Sequence, residues 1–388
     1  MADTIEPPLA VAAATGGLRT GWTTGTCAAA AAKAALVGLI TGTAPAKVEV
    51  GLPGGRRVRF AVESGPPHRC VVVKDAGDDP DCTDGARMTA EVSWAETFPP
   101  GERGPILRAG EGIGVVTKPG LGLPLGEPSI TAVPRRMIAA ALAEVGAGPP
   151  TPTGRSKPGL PALEGGSGPR PVVVTFSVPG GEAMAAKTSN ARLGIVGGIS
   201  ILGTTGVVKP FSTAAYRASV VQQIDVAAAQ GAEVIVLCTG TRSDAFAQQA
   251  LPHLPPVCFV EVGDFTGIAL RRAARNGIGR VIWVGMVGKI TKLAAGVMMT
   301  HFRRSAVDTG LLASVARQTG APASVVASAT ETATARHFYE TCLEAGALEP
   351  LVRLCQLAAA ACRSHVEDAL AVEVVCVDFD GTVEVARG

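Results

Sequence analysis

Apolar and polar positions follow two different rhythms along the chain. An alanine tract, Ala28 to Ala35, predicts a helix at about 27–39. Short alternating runs come next, at Val48 to Gly51, Arg57 to Val62, Cys70 to Lys74 and Met88 to Trp94, and their spacing predicts an antiparallel or mixed sheet. Pro134 opens a helix whose apolar positions, Met137, Ala141 and Val145 with Ile138 and Leu142, keep a helical period. Val172 to Val178 reads as another strand. After Ser212 the rhythm becomes regular: helix 213–230, strand 233–238, a helix to about 250, strand 257–262, helix 266–276, strand 280–285, helix 289–304, and a last strand at 372–378. Strands alternating with helices imply a parallel sheet. The expected architecture is a flexible tail (1–17), an α+β N-terminal domain with a mixed or antiparallel sheet (18–202), and an α/β Rossmann-like C-terminal domain with a parallel sheet (203–388). Residues 147–170, rich in Pro, Gly and Ser, read as an insertion in a crossover of the first domain.

Composition narrows the function classes. The chain has 388 residues, enough for two separate cores, and is 47% apolar with only 4% aromatics, so those cores are built of Val, Ile, Leu and Ala. Thirty-five Lys and Arg nearly balance thirty-three Asp and Glu, so no global field recruits nucleic acid or a membrane surface. Nine cysteines with no CxxC pair read as reduced thiols of a cytoplasmic protein, and no protein-bound metal is expected. The first eighteen residues hold no basic residue, unlike a signal peptide, and no uninterrupted apolar run reaches the roughly 20 residues of a membrane span.

Candidate chemistry sits in glycine-punctuated polar runs. Arg19-Thr20-Gly21-Trp22-Thr23-Thr24-Gly25-Thr26-Cys27 leads into the alanine tract, an anion-accepting geometry with Thr24 or Thr26 as N-cap. Others span Lys74 to Asp81, Gly112 to Gly120, Gly194 to Gly206 and Gly285 to Lys292. Gly197, Gly198 and Gly203, followed by Thr204 and Thr205, suit a loop whose backbone approaches a ligand, and equally a tight turn; they form no GxGxxG fingerprint. At the predicted carboxyl ends of the α/β strands lie Gly240, Glu261, Asp264 and Lys289. Glu261 or Asp264 could accept ribose hydroxyls, and Asp264 also fits a helix N-cap. Lys289 and Lys292 share a helix face that could grip carboxylates. Asp378-Phe379-Asp380-Gly381-Thr382 copies an aspartyl-phosphatase signature but comes too near the C-terminal end for the later motifs that chemistry needs, so it reads as a strand and turn. The acidic loop Asp75, Asp78, Asp79, Asp81 and Asp84 lacks the spacing of an EF-hand and reads as a capped turn, with Asp75 the one weak candidate for a general base. No nucleophilic triad can be assembled from the five scattered histidines.

Together with Gly126-Glu127-Pro128 and Pro134-Arg135-Arg136-Met137-Ile138, these runs resemble, in order from about residue 18 to 300, the CbiD family, the cobalt-precorrin-5B (C1)-methyltransferases of cobalamin biosynthesis. Trp22 stands where a tyrosine is common in that family. The resemblance implies methyl transfer from S-adenosylmethionine to C1 of a cobalt-containing corrinoid precursor, a reaction that needs alignment and a water-excluding cleft more than proton transfer. No catalytic residue is assigned beyond the Asp75 candidate. For the substrate's carboxylate arms the resemblance points to Arg19, Thr24, Thr26, Lys118, Arg135, Arg136, Arg192, Lys209, Lys289 and Lys292. For the methyl donor it points to Gly197, Gly198, Gly203, Thr204 and Thr205 with Gly240 and Asp264. A homo-oligomer is compatible with this reading. Two other classes stay open: a nicotinamide-dependent oxidoreductase of the same pathway, and a non-catalytic tetrapyrrole carrier.

Overall fold

The structure, a computed structural model, describes residues 17–97, 104–146, 171–300, 308–331 and 334–388. The predicted tail, but for Gly17, and the 147–170 insertion lie outside the described residues. The chain divides between Ser212 and Thr213 into two compact units.

The first unit is built on the helix Thr24–Thr41, whose alanines 28–32, 34 and 35 are fully buried. A helix that is apolar all round must be sheathed on every side, and alanine lets neighbours approach closely. By length and composition this segment could cross a membrane, contrary to the sequence reading, but 72% of it is buried within the protein, as in a core helix. It starts at Thr24, three residues before the predicted position, because Thr23 and neither Thr24 nor Thr26 is the N-cap: the Thr23 hydroxyl accepts the Thr26 N–H at 3.2 Å. Gly42, at φ +76°, ends it.

Against this helix packs a five-stranded sheet in the order Glu63–Ser64, Arg69–Val73, Arg87–Trp94, Val172–Ser177, Ile106–Ala109. Its pairs are antiparallel except the last, which is parallel, so the sheet is mixed, as expected. The helix Ala132–Ala143 packs on the alanine helix; it begins two residues before Pro134, which occupies the first turn, where its missing N–H costs nothing. The hairpin Lys47–Gly51/Arg57–Ala61 stands apart from the sheet. Residues 203–212, expected in the second domain, belong to the first unit, because Val207–Val208 pairs antiparallel with Gly21–Trp22.

The second unit holds a five-stranded sheet: β1 (Val234–Cys238), β2 (Phe259–Glu261), β3 (Arg280–Gly285), β4 (Ala371–Val377) and β5 (Glu384–Arg387), in the spatial order β2-β1-β3-β4-β5. β1 to β4 are parallel. The sheet is not wholly parallel, since β5, which the pattern did not predict, folds back antiparallel on β4. The helix after β3 is Val287–Ala294 and stops ten residues short of the predicted end. Four further helices, Thr309–Gln318, Ala323–Glu331, Ala335–Glu344 and Glu349–His365, precede β4. Trp283 on β3 is fully buried, and its indole N–H donates to the Thr266 hydroxyl at 3.1 Å.

One ion network ties three elements of the first unit. Lys33 donates to the Glu49 carbonyl (2.7 Å) and the Glu144 carboxylate (2.5 Å), while Arg57 holds the same carboxylate with two hydrogen bonds (2.9 and 2.8 Å) and also reaches Glu49. The Arg57 guanidinium first, and then Lys33 against the opposing effect of burial, hold the Glu144 carboxyl down to about 2. A depressed carboxyl contributes stability above its unfolded value near 4.5, and that contribution fades as pH falls toward 2. Glu144→Gln is therefore expected to be less stable than the parent at pH 7 by about 1 kcal/mol, a modest figure because solvent screens these partly exposed partners. In melting curves the gap should close steadily between pH 4.5 and pH 2.

Candidate functional site

In the second unit the chain leaves β1 for one neighbour, β2, and then crosses to the other, β3. In such open sheets ligands bind where that reversal leaves a crevice beyond the carboxyl ends of the strands. Two loops border the β1/β3 end: Thr239-Gly240 before the helix Thr241–Ala250, and Met286 before the helix Val287–Ala294. Nothing lies within 4 Å of where a Cβ on Gly240 would stand, so the loop after β1 exposes main chain to open space; Gly288, in the first turn of the helix after β3, is equally uncrowded. The Gly240 N–H donates to the Ser243 hydroxyl (3.1 Å), which returns a bond to the Gly240 carbonyl (2.8 Å) and fixes the loop. Glu261 closes β2 in register with Cys238, the last residue of β1. It stands one strand spacing away and about twenty residues after Gly240, the offset of a ribose-accepting acid from a phosphate-side glycine.

Asp264 is neither the N-cap nor an obvious ribose acceptor. Phe265 holds the N-cap position, and Asp264 pairs with Lys289 (3.3 Å) while accepting the Thr300 hydroxyl (3.3 Å). Lys289 also donates to the carbonyls of Thr239 (3.2 Å) and Gly263 (3.0 Å), clamping the loops after β1 and β2 together. Lys292 donates to the Thr300 carbonyl (3.3 Å). Both lysines thus serve loop carbonyls of their own unit, which displaces the carboxylate-gripping role expected for them. Asp378 shapes the turn between β4 and β5, accepting the N–H groups of Thr382 (2.6 Å) and Val383 (3.0 Å) and the Thr382 hydroxyl (2.9 Å). The phosphatase-like run is the turn of the β4–β5 hairpin.

In the first unit, the run around Thr24 is an interlock, which overturns its reading as an anion site. The Gly25 N–H donates to the Leu202 carbonyl (3.0 Å), the Thr23 N–H to Gly206 (3.2 Å) and the Trp22 N–H to Asp75 (2.7 Å). The Thr24 hydroxyl accepts the Leu202 N–H (2.9 Å), and the Thr26 hydroxyl donates to the Gly206 carbonyl (2.7 Å). Thr26 is fully buried and Thr24 nearly so; neither can meet a substrate arm. Gly198 runs parallel to Gly112, and a Cβ there would stand 2.0 Å from the Gly112 carbonyl carbon. Gly203, at φ +132°, would drive a Cβ to 2.6 Å from the Thr23 side chain. These glycines serve close packing. Gly197, at φ +91°, faces more room, Thr204 is exposed, and the Thr205 hydroxyl bonds within its own turn, to Val207.

The acidic loop is likewise paired within itself and with its neighbours. Arg19 pairs with Asp75, and its N–H donates to Asp78 (2.5 Å). Buried Lys74 pairs with Asp81 (2.6 Å), Asp84 accepts the Ala76 N–H (2.8 Å), and Asp79 accepts the N–H of Phe211 (2.9 Å). Burial acts to raise the Asp75 pKa, but Arg19 and the Gly77 N–H more than offset it and leave the carboxyl below its ordinary value. An ion-paired, weakly basic carboxylate is a poor general base. Arg19 is committed to that pairing. Arg135 is turned onto its own loop, donating to the Ile130 carbonyl (2.9 Å) and pairing with Glu127 (3.4 Å). Lys118, Arg136 and Lys209 remain exposed, and Arg192 is half-buried.

A shallow depression of about 500 Å³ on the first unit is lined by Glu111, Gly112, Gly180, Gly181, Glu182, Ala183 and Ala186, none of them a predicted site residue. Its two carboxylates suit no anionic ligand. Among the described residues, no three His, Cys, Asp or Glu side chains are grouped to hold a metal. The sequence reading missed Phe211, displayed at 68% exposure with a left-handed backbone (φ +54°); no residue-type signal marks such a conformation.

The described residues define a mixed α/β protein with several sheets, an interlocked first unit and a mostly parallel sheet in the second. Residues 11–210 match the CbiD family model, and residues 299–387 match the model of the CbiD C-terminal domain. The chain belongs to the CbiD family, and the second match carries the likeness beyond residue 300, where the sequence resemblance had stopped. Its relatives include the cobalt-precorrin-5B C(1)-methyltransferases of Salinispora arenicola, 53% identical and spanning 95% of this chain and 92% of that one, and of Rubrobacter xylanophilus, 54% identical over 94% and 89%. A solved cobalamin biosynthesis protein (cbiD) from Archaeoglobus fulgidus is 24% identical over 85% of each chain, with a TM-score of 0.37.

Gly198→Ala and Gly203→Val are each expected to lower the melting temperature by about 5 °C or more, because main chain and a capping side chain must move aside. Differential scanning calorimetry showing native melting in both would return the loop to the list of ligand contacts.

Proposed function

We propose that the chain methylates C1 of cobalt-precorrin-5B in cobalamin biosynthesis, with S-adenosylmethionine as methyl donor, as a soluble enzyme of the cytoplasm. The observation that carries this reading is identity above one half, along nearly the whole chain, to relatives bearing that enzyme name. The donor supplies an already activated methyl group: its S–CH3 bond breaks as an electron pair of the macrocycle forms the new carbon–carbon bond. The protein's part is then to align two ligands and exclude water.

For the donor, the second unit is read as Rossmann-like, with the site at the β1/β3 end. Gly240, at the N-cap of Thr241–Ala250, and Gly288, in the first turn of Val287–Ala294, leave room beside the main chain, and the N-terminal turns of these helices favour the donor's carboxylate. Glu261 takes the ribose role from its register opposite Cys238 and its offset of about twenty residues from Gly240. For the carboxylate arms, the exposed Lys118, Arg136 and Lys209 are the first choices, because Arg19 and Arg135 already hold acids of the first unit.

S-adenosylhomocysteine is expected to bind and to stabilise the fold by about 2.7 kcal/mol at a hundredfold excess over its dissociation constant. Calorimetry with this ligand, NADPH and a corrinoid separates the classes. A nicotinamide enzyme would bind NADPH, a carrier only the corrinoid, and either pattern would overturn the proposal.

A further inference from the structure

Tyr216 lies in the first turn of the helix Thr213–Ala229, beside the loop that follows β2. One face of its ring stacks on Phe265, with centroids 5.7 Å apart and planes inclined by 29°. Its hydroxyl donates to the main-chain carbonyl of Glu261 at 3.3 Å. Gly263, at φ +54°, passes close to the ring edge: a Cβ there would stand 3.0 Å from the ring and its hydroxyl, so a larger residue would press on the tyrosine. Despite these contacts Tyr216 as a whole residue stays 37% exposed. A stacked, hydrogen-bonded aromatic with an open surface is held flat for something outside the protein's own core.

We infer that Tyr216 is the platform on which the adenine of the methyl donor stacks. This rests on the donor site proposed above and extends it from ribose to base. The hydrogen bond from Tyr216 to Glu261 places the open ring next to the residue assigned to the ribose, and a purine sits one glycosidic bond from its ribose. Because the hydroxyl is engaged, the ring offers its π face, which suits a flat base. Burial, with the Glu261 and Asp264 carboxylates adding to it, pushes the phenol up to about 12, so the platform stays neutral at physiological pH.

Titration calorimetry with S-adenosylhomocysteine tests this on the full chain. Tyr216→Phe, which keeps the ring, is expected to bind like the parent. Tyr216→Leu, which keeps apolar bulk against Phe265 but removes the plane, is expected to bind about tenfold more weakly while corrinoid binding is unchanged and the chain still melts cooperatively. Equal affinity in Tyr216→Leu and the parent overturns the platform and leaves the donor site standing. Equal weakening in Tyr216→Phe and Tyr216→Leu also overturns it, since the hydroxyl and not the plane would then matter. A parent chain that fails to bind S-adenosylhomocysteine removes the donor site itself.

Discussion

Close approach of main chain to main chain is the constraint on which the first unit depends. Three segments far apart in sequence, Trp22 to Thr26, Asp75 to Gly77 and Leu202 to Val208, meet through backbone hydrogen bonds with scarcely a side chain between them. A Cβ on Gly21 would fall 2.1 Å from the Ala76 carbonyl carbon, and one on Gly77 would fall 2.3 Å from the Arg19 carbonyl oxygen. The interlock caps the alanine helix, and that helix in turn gives the sheet its inner surface. The acid–base pairs of the 74–84 loop hold the remaining side: Lys74 and Asp81 inside, Arg19 and Asp75 outside.

Much of the architecture was legible because it rests on periodicity. The β1 to β3 alternation was predicted within a residue or two at most ends, and the order of strands and helices implied parallel pairing. The antiparallel β5 was not, since four residues after a turn carry too little pattern. The helix Glu349–His365 did carry a signal that went unread: Leu351, Leu354, Cys355, Ala358, Ala359 and Cys362 fall on one buried face at helical spacing. Val287–Ala294 was overextended because good helix-forming residues continue past Ala294, whereas Gly296, at φ +79°, turns the chain.

Several of the candidate site loops were misread, for one physical reason. Glycine, threonine and arginine are chosen alike by a loop that meets a ligand and by a loop that meets another loop. Thr24 and Thr26 have the right chemistry for an anion, but their hydroxyls are consumed by Ser200 to Gly206, a pairing no local window contains. Arg135 faces Glu127 only because the Pro128 turn brings the two together. In the second unit only the register of β1 with β2 sets Glu261, opposite Cys238, apart from Asp264, which pairs with Lys289.

The interlock also sets a timetable for synthesis. Thr26 and Gly206 are 180 residues apart in sequence, and Thr24 and Leu202 are 178 apart. The alanine helix can coil as soon as it emerges, since helices form locally and fast. Its amino end, though, stays open until more than half of the polypeptide has been made. Contacts of such long sequence separation form slowly, because loop-closure entropy is lost before any contact rewards it. During that interval the amino end of the alanine helix lacks its interlock, so early stalling or truncation of translation would leave that end as a surface on which nascent chains associate.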